Sequence, residues 1–268
     1  MPARPRSAVT IGVYDGLHLG HRKVIDELCR LARAQGLRSV VVTFDPHPAS
    51  VVRPESAPLQ LTDLAQRLEL LTQAGVDEVF VLEFTPQRAA ESAQEFVEEV
   101  LVGELEAKLV LVGRDFHFGR NRGGDVALLE KMGAEHGFEV VPYELVGDDR
   151  DGAVVSSTRI RELVGSGELA EASRLLGRAY EVRGLAAPDA EGSASGAALR
   201  VTVPPQVLLP PPGGYPAFAG LVGAAGVPLA PVHAVVPGEP GELILTGLVE
   251  PWPPGSPVRV SFAAPPGP

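Results

Sequence analysis

The sequence predicts an α/β protein in which a doubly wound parallel sheet is followed by a smaller β-barrel domain. Up to about Tyr180, short apolar runs alternate with amphipathic helical patterns, as in repeated β-α units. Beyond Arg183 lie 18 of the 26 prolines, charges become sparse, and the remaining apolar runs are short and rich in β-branched residues. Proline disfavours helix interiors, so this part is expected to be all-β. We therefore predict one domain over residues 1–182 and a second over residues 183–268.

The first domain should alternate strands and helices. Strands are predicted at residues 8–13, 39–44, 78–83, 109–113 and 139–144, and helices at residues 19–34, 63–73, 92–104, 126–135, 157–164 and 168–176. Repeated β-α units close into a parallel sheet. Ligands of such sheets bind beyond the carboxyl ends of the strands, where the strand order reverses.

The second domain should be a small antiparallel barrel. Its strands are expected in the runs 198–203, 218–222, 243–248 and 258–262. The segment PDAEGSASG is predicted to be a flexible loop and the terminal AAPPGP a frayed tail.

Composition limits the function. A net charge of -11 and a pI near 5.1 argue against nucleic-acid or anionic-membrane partners, which need broad basic surfaces. No apolar run reaches the roughly 18 residues needed to span a bilayer and no signal-peptide core is present, so a cytoplasmic protein is expected. The single cysteine, Cys29, excludes a disulfide framework and should be a buried helix residue.

The turn after the first predicted strand, GVYDGLHLGHRKVIDEL at residues 12–28, predicts a phosphate site. A helix that begins after a strand presents unpaired N–H groups and a positive dipole end. Gly12 and Gly16 permit a tight turn, and Gly20 permits close approach of a ligand. His18 and His21 lie on one helical face and can reach one anionic group, although the two rings could also merely cap the turn.

A second phosphate motif, VSSTRIRELVGSGEL, follows the last predicted strand of the first domain. Ser156, Ser157 or Thr158 would cap the helix that follows. Arg161 lies one turn beyond Ser157, and its planar guanidinium could hold two phosphate groups.

These motifs resemble those of a known family. Gly12, Tyr14, Asp15, His18, Gly20 and His21 fit the G-x-[FY]-D-x-x-H-x-G-H signature of the nucleotidylyltransferase superfamily, and VSSTRIR resembles its [IV]-S-S-T-x-x-R element. The segments TFDPHP at residues 43–48 and GRDFHFG at residues 113–119, with Arg122 and Gly124-Asp125, resemble bacterial FAD synthetases, the FMN adenylyltransferase module of bifunctional riboflavin kinase/FAD synthetases. The resemblance covers about residues 8–182.

The resemblance implies a Rossmann-like nucleotidylyltransferase that transfers AMP from ATP to FMN, giving FAD and pyrophosphate. It implies catalytic roles for His18, His21, Ser157 and Arg161, nucleotide binding by Gly12, Tyr14, Asp15, Gly20, Ser156 and Thr158, and flavin binding by Pro46, His47, Pro48 and Asp115. Mg²⁺ would accompany ATP, with no metal site made by the protein alone. Asp15 could hold the turn or help to position the magnesium ion, and the turn is the favoured role.

Several departures leave alternatives open. Arg88 stands where the family usually has an aromatic residue, and Arg114 where an acidic residue is common, so a modified flavin, another acceptor or another nucleotide remains an alternative. The second domain resembles a riboflavin kinase barrel but lacks its P-T-A-N turn, and neither Glu242 nor Glu250 has a convincing setting for a catalytic base. We expect a degenerate barrel without kinase activity and a separate riboflavin kinase that supplies FMN. A non-catalytic flavin- or nucleotide-binding regulator is the third alternative.

Overall fold

The computed structural model describes residues 6–144, 155–187, 198–224, 227–248 and 252–262. The chain forms two compact units, one made of Met1–Pro58 and Arg67–Val154 and the other of Leu59–Gln66 and Val155–Pro268. These limits differ from the domain boundary at residue 182 that the sequence suggested, and that assignment of domains stays a prediction.

The first unit contains the predicted parallel sheet. Its strands are β1 (Ser7–Ile11), β2 (Arg38–Asp45), β3 (Glu78–Glu83), β4 (Ala107–Gly113) and β5 (Glu139–Tyr143), in the order β3-β2-β1-β4-β5. Its helices are α1 (Leu19–Gln35), α2 (Pro48–Val52), α4 (Pro86–Ala89), α5 (Ala93–Phe96) and α6 (Val126–His136), while α3 (Leu64–Gln73) carries the chain from the second unit's first segment into this one. The order reverses between β1 and β4, which is the switch point expected of a doubly wound sheet.

Alternate residues of the central strands point to two separate cores. Val9 of β1 packs in one buried cluster with Phe96 and Leu129, whereas its neighbour Ala8 packs in another with Leu28 and Leu71. Because side chains alternate across a strand, the sheet is covered by helices on both faces. The doubly wound α/β architecture is therefore confirmed.

Helix α1 shows how local chemistry sets the elements. Its inward face buries apolar residues that include Val24, Ile25 and Cys29, so the cysteine is a buried helix residue as expected. The helix ends at Gly36, whose φ of 65° is left-handed and suits glycine. The helix predicted at residues 92–104 is instead a short α5 that continues as a π-helix over Val97–Glu104.

The second unit contains the predicted antiparallel barrel. Two helices, α7 (Ser157–Gly165) and α8 (Leu169–Leu176), precede strands β6 (Tyr180–Ala186), β7 (Leu199–Thr202), β8 (Gly213–Leu221), β9 (Ala230–Val236), β10 (Glu242–Thr246) and β11 (Pro257–Phe262). These strands close in the order β10-β7-β6-β11-β8-β9. Strands β6 and β9 were not predicted, and the predicted loop at residues 188–196 and tail at residues 263–268 lie outside the described residues.

The segment Leu59–Gln66 belongs to the second unit although it lies early in the chain. The Gln60 N–H donates to the Gln206 carbonyl at 2.7 Å, and the Leu208 N–H donates to the Gln60 carbonyl at 2.8 Å. Leu61 is buried in the same apolar cluster as Val203 and Val207. We call Leu59–Gln66 the early segment.

Among the described residues, no helix is both long enough and apolar enough to cross a lipid bilayer.

Candidate active site

The turn after β1 has a backbone that only certain residues can adopt. The Gly12 N–H donates to the Val42 carbonyl at 3.0 Å, which ties the turn to β2. Tyr14, Gly16 and Leu17 then take positive φ values of 54°, 79° and 36°. A methyl group on Gly12 would lie 2.9 Å from Cε2 of Tyr14, so glycine is needed there because the tyrosine ring occupies the space.

His18 and His21 come together at the amino end of α1. His18 is the N-cap residue, and its Nδ1 accepts a hydrogen bond from the His21 N–H at 3.2 Å. The two rings stack with centroids 3.5 Å apart and planes 18° apart. His18 therefore does cap the helix. Because Nδ1 is the acceptor, a neutral His18 ring carries its proton on Nε2.

The other predicted residues of this turn are mainly buried. The Tyr14 hydroxyl is 2.8 Å from Oγ1 of Thr10, and the ring meets that of His21 edge-on at 5.0 Å. Burial raises the pKa of Tyr14 far above its usual range, and the hydrogen bond with Thr10 offsets only part of the rise. Asp15 and Gly20 are also buried. Tyr14 therefore supports the turn and the His21 ring as a neutral phenol.

A cavity of about 680 Å³ lies beyond the carboxyl ends of β1 to β4. Ile11, Gly12 and Val13 line it on the β1 side, and the segment after β4 lines it on the other side, so the cavity is at the switch point of the sheet. Its walls are aromatic and include Phe44, Phe84, Phe96, Phe116 and Phe118. Such a cavity suits a flat, apolar ring system.

Only one of the four predicted flavin residues lines this cavity. Pro48 does so, whereas Pro46, His47 and Asp115 are not among the described lining residues. His47 caps α2, its Nδ1 accepting from the Ala49 N–H at 3.0 Å, and Asp115 is exposed after β4. The phenylalanines were missed, although their positions beside three predicted strand ends were a usable signal.

A buried arginine that sequence reasoning missed fixes two strand ends. Arg67 donates from Nη2 to the Phe44 carbonyl at 2.8 Å and from Nη1 to the Val13 carbonyl at 3.3 Å. The Val13 carbonyl also accepts from Oγ1 of Thr43 at 3.0 Å. Since Val13 and Phe44 both line the cavity, these bonds hold its wall in place.

Charged groups also reach the cavity. Arg88, Glu91, Arg120 and Arg122 are among its lining residues. Arg114 is not: its side chain is 67% exposed and pairs with Glu144. Of the two departures from the family pattern, the one at residue 88 therefore bears on the cavity.

The second predicted motif lies in the second unit. Ser156 is the N-cap of α7, and its Oγ accepts from the Arg159 N–H at 3.3 Å. Ser157 is half-buried and Thr158 is exposed. Arg161 is half-buried and donates from Nε to the Leu59 carbonyl at 2.8 Å. Because the two histidines belong to the first unit, a phosphate site shared by the two motifs stays a prediction.

The sequence matches the FAD synthetase family over residues 1–159. This chain belongs to the FAD synthetase family. The match contains the histidine turn and the segments TFDPHP and GRDFHFG, so the resemblance inferred from these motifs is confirmed.

Curated relatives of this FAD synthetase family member are named for two activities. The bifunctional riboflavin kinase/FMN adenylyltransferase of Pseudomonas fluorescens is 38% identical over 183 residues, which are 68% of this chain and 58% of the relative. The protein of the same name from Escherichia coli K12 is 37% identical over 176 residues, 66% of this chain and 56% of the relative. The match thus spans little more than half the length of these curated relatives.

A solved structure resembles the chain over nearly its whole length. The crystal structure described as a macrolide-efflux protein from Streptococcus pneumoniae has a TM-score of 0.78 and 25% sequence identity, and the likeness covers 98% of this chain and 85% of that one.

Proposed function

We propose that the protein transfers the AMP group of ATP to FMN, giving FAD and pyrophosphate. One observation carries the proposal: the aromatic cavity includes Gly12, the first residue of the turn that leads to the stacked imidazoles at the start of α1. An acceptor ring in the cavity would therefore have a phosphate-binding helix end beside it.

The chemistry needs positioning more than reactive groups. A phosphate oxygen of FMN attacks the α-phosphorus of ATP in line, one P–O bond forms, and the bond to the departing pyrophosphate breaks. The Nε2–H of His18, the His21 ring and the first N–H groups of α1 would donate to the phosphate oxygens on which negative charge grows. No covalent intermediate with the protein is required.

Mg²⁺ would enter with ATP. Within the described residues, no group of three or more His, Cys, Asp or Glu side chains could hold a metal ion. Magnesium commonly keeps several waters and uses substrate phosphates with one or two carboxylates, which agrees with a metal brought by the nucleotide. The ion would neutralise charge on the phosphates and orient the leaving group.

The second motif enters the proposal through the resemblance alone. Ser157 and Arg161 would bind the outer phosphates of ATP. The Nε atom of Arg161 donates to the Leu59 carbonyl at 2.8 Å, which fixes the position of the guanidinium.

We further propose that the barrel has no riboflavin kinase activity and that FMN comes from a separate kinase. The sequence lacks the P-T-A-N turn, and the Glu242 carboxylate forms an ion pair with Arg200. A carboxylate held in this way is a poor catalytic base, because its charge is already neutralised. Glu250 lies outside the described residues.

One assay separates this proposal from the alternatives. Purified protein is incubated with MgATP and either FMN or riboflavin, and flavins and pyrophosphate are followed by chromatography. FAD from FMN, without FMN from riboflavin, is the expected result. Pyrophosphate release only with other acceptors would point to a different adenylyl acceptor, and tight flavin or nucleotide binding without turnover would point to a regulator.

A further inference from the structure

An ion pair lies in the wall of the aromatic cavity. Arg88 lies in α4 and donates from Nη1 to Oε2 of Glu91 at 2.7 Å. Both residues line the cavity, and each side chain is 23% exposed. Glu99, which is 61% exposed, also meets Nη1 of Arg88 at 3.3 Å. A partly buried pair among phenylalanines is a polar feature that an apolar ligand alone would not require.

The pair is held in one position by its own elements. The Arg88 N–H donates to Oγ1 of Thr85, the cap of α4, at 3.1 Å. The Glu91 carbonyl accepts from the Arg120 N–H at 2.7 Å, and the Glu91 N–H donates to the Arg88 carbonyl at 3.3 Å. Both backbones are therefore fixed, so a ligand would meet a preorganised pair.

The pair retains hydrogen-bonding capacity. Within the described residues, Nε and Nη2 of Arg88 make no hydrogen bond, and neither does Oε1 of Glu91. A guanidinium only donates and a carboxylate only accepts. Side by side, the two groups complement a ligand edge on which a carbonyl oxygen stands next to an N–H.

We infer that Arg88 and Glu91 select the acceptor by an imide edge, meaning a ring N–H flanked by carbonyl groups. Arg88 would donate to a carbonyl oxygen and Glu91 would accept from the N–H, while the phenylalanines cover the flat ring. The inference rests on the proposed function, because the flavin ring of FMN carries such an edge. It gives this contact to Glu91 and not to Asp115, to which the resemblance assigned flavin binding but which is not among the residues that line the cavity.

The test compares FMN with FMN methylated on the imide nitrogen, which removes the N–H and adds bulk there. Dissociation constants are measured from the quenching of flavin fluorescence. The wild-type protein should prefer FMN by about 10- to 100-fold, as expected for a charge-assisted hydrogen bond inside a cavity. In Arg88→Met/Glu91→Met, the preference should disappear and FMN should bind about tenfold or more weakly.

The double variant removes both charges together, so neither is left unpaired in the wall. Its KM for ATP and its thermal transition should stay near those of the wild type. Arg114→Met is the matched control, because that arginine also pairs with a glutamate but lies off the cavity. It should keep the full preference for FMN.

Two sets of outcomes are distinguishable. If the double variant keeps the wild-type preference, or if the wild type binds both flavins equally, the role of Arg88 and Glu91 is refuted while FAD formation by the wild type still stands. If the wild type binds FMN selectively but releases no pyrophosphate, the proposed reaction fails and the imide recognition survives. Absence of any FMN binding would overturn both.

Discussion

His18 has the capping role that the sequence offered as one interpretation of this turn. Its Nδ1 caps α1 by accepting from the His21 N–H, and this bond places the proton of a neutral ring on Nε2. The His21 ring stacks on that of His18 and rests against Tyr14. A substitution at His21 should therefore separate phosphate chemistry from folding better than one at His18.

His21→Ala should lower kcat for FAD formation by about 10²–10³, because one donor to the growing phosphate charge is lost. Flavin affinity should change little, since the His21 ring is not among the described residues that line the cavity. Steady-state kinetics and flavin titration measure the two quantities. His136→Ala, at the exposed end of α6, is the control and should behave like the wild type. Parallel loss of binding and turnover would show that His21 has a folding role instead.

Gly12 has a steric requirement that can be tested by a pair of substitutions. Gly12→Ala places a methyl group 2.9 Å from the Tyr14 ring and should destabilise the protein by about 1–3 kcal/mol. In a Tyr14→Ala background the ring is gone, so the same change at Gly12 should cost much less. Thermal unfolding of the four proteins gives the coupling between the two sites. An equal cost in both backgrounds would mean that the ring is not the cause.

At the scale of elements, the sequence predicted the strands and helices that have regular apolar patterns. It missed a strand that forms only through pairing with residues far away in the chain. The five strands of the sheet follow from apolar runs, and the ends of α1 and α6 follow from their glycines. Strand β9 contains Pro231 and His233, and Pro237 follows it directly, so its sequence resembles a loop. Its pairing with β8 and β10 in the barrel makes it a strand.

The candidate site divides in the same way. The histidine turn could be identified from a motif, because its residues are close together in the sequence. The cavity was missed because its phenylalanines come from four separate stretches of chain, and Arg67 was missed because its two carbonyl partners lie 54 and 23 residues away.

The start of β2 has an acid-sensitive link to the turn before β3. Both the N–H and the hydroxyl of Ser39 donate to Oδ2 of Asp77, at 2.8 and 2.7 Å. These bonds hold the pKa of Asp77 below its usual value. The stabilisation is therefore complete above the unfolded-state pKa of about 3.9 and is lost as the pH falls through the lower folded-state pKa.

Asp77→Asn should lower stability at about pH 6 by up to 1 kcal/mol, a modest value because the carboxylate is exposed. The difference from the wild type should shrink at about pH 3. Thermal unfolding across this range provides the measurement. A gap that stays constant with pH would show that ionisation of Asp77 does not contribute.

At the scale of the whole molecule, the early segment belongs to a different structural unit from the residues that flank it in sequence. The early segment lies between two stretches of the first unit in sequence, yet its backbone pairs with residues of the second. A domain boundary drawn once along the chain cannot reproduce this arrangement.

A chain ended at residue 182 should therefore be compromised. It keeps the early segment but loses Gln206 and Leu208, the backbone partners of Gln60, and the strands that bury Leu61. We expect rapid proteolytic cleavage within residues 59–66 and increased binding of a hydrophobic dye. Mass spectrometry of the fragments, with the full chain as control, checks this. Equal resistance of the two proteins in this segment would contradict the expectation.

The same arrangement has a consequence for synthesis on the ribosome. Gln60 emerges long before the residues to which its backbone bonds, and at typical translation speeds the delay is roughly 7 to 30 s. During that interval the backbone partners of Gln60 are absent, while strands β3 to β5 of the sheet are being made. We therefore expect chaperones to recognise the early segment on the nascent chain until the residues that pair with it have been made.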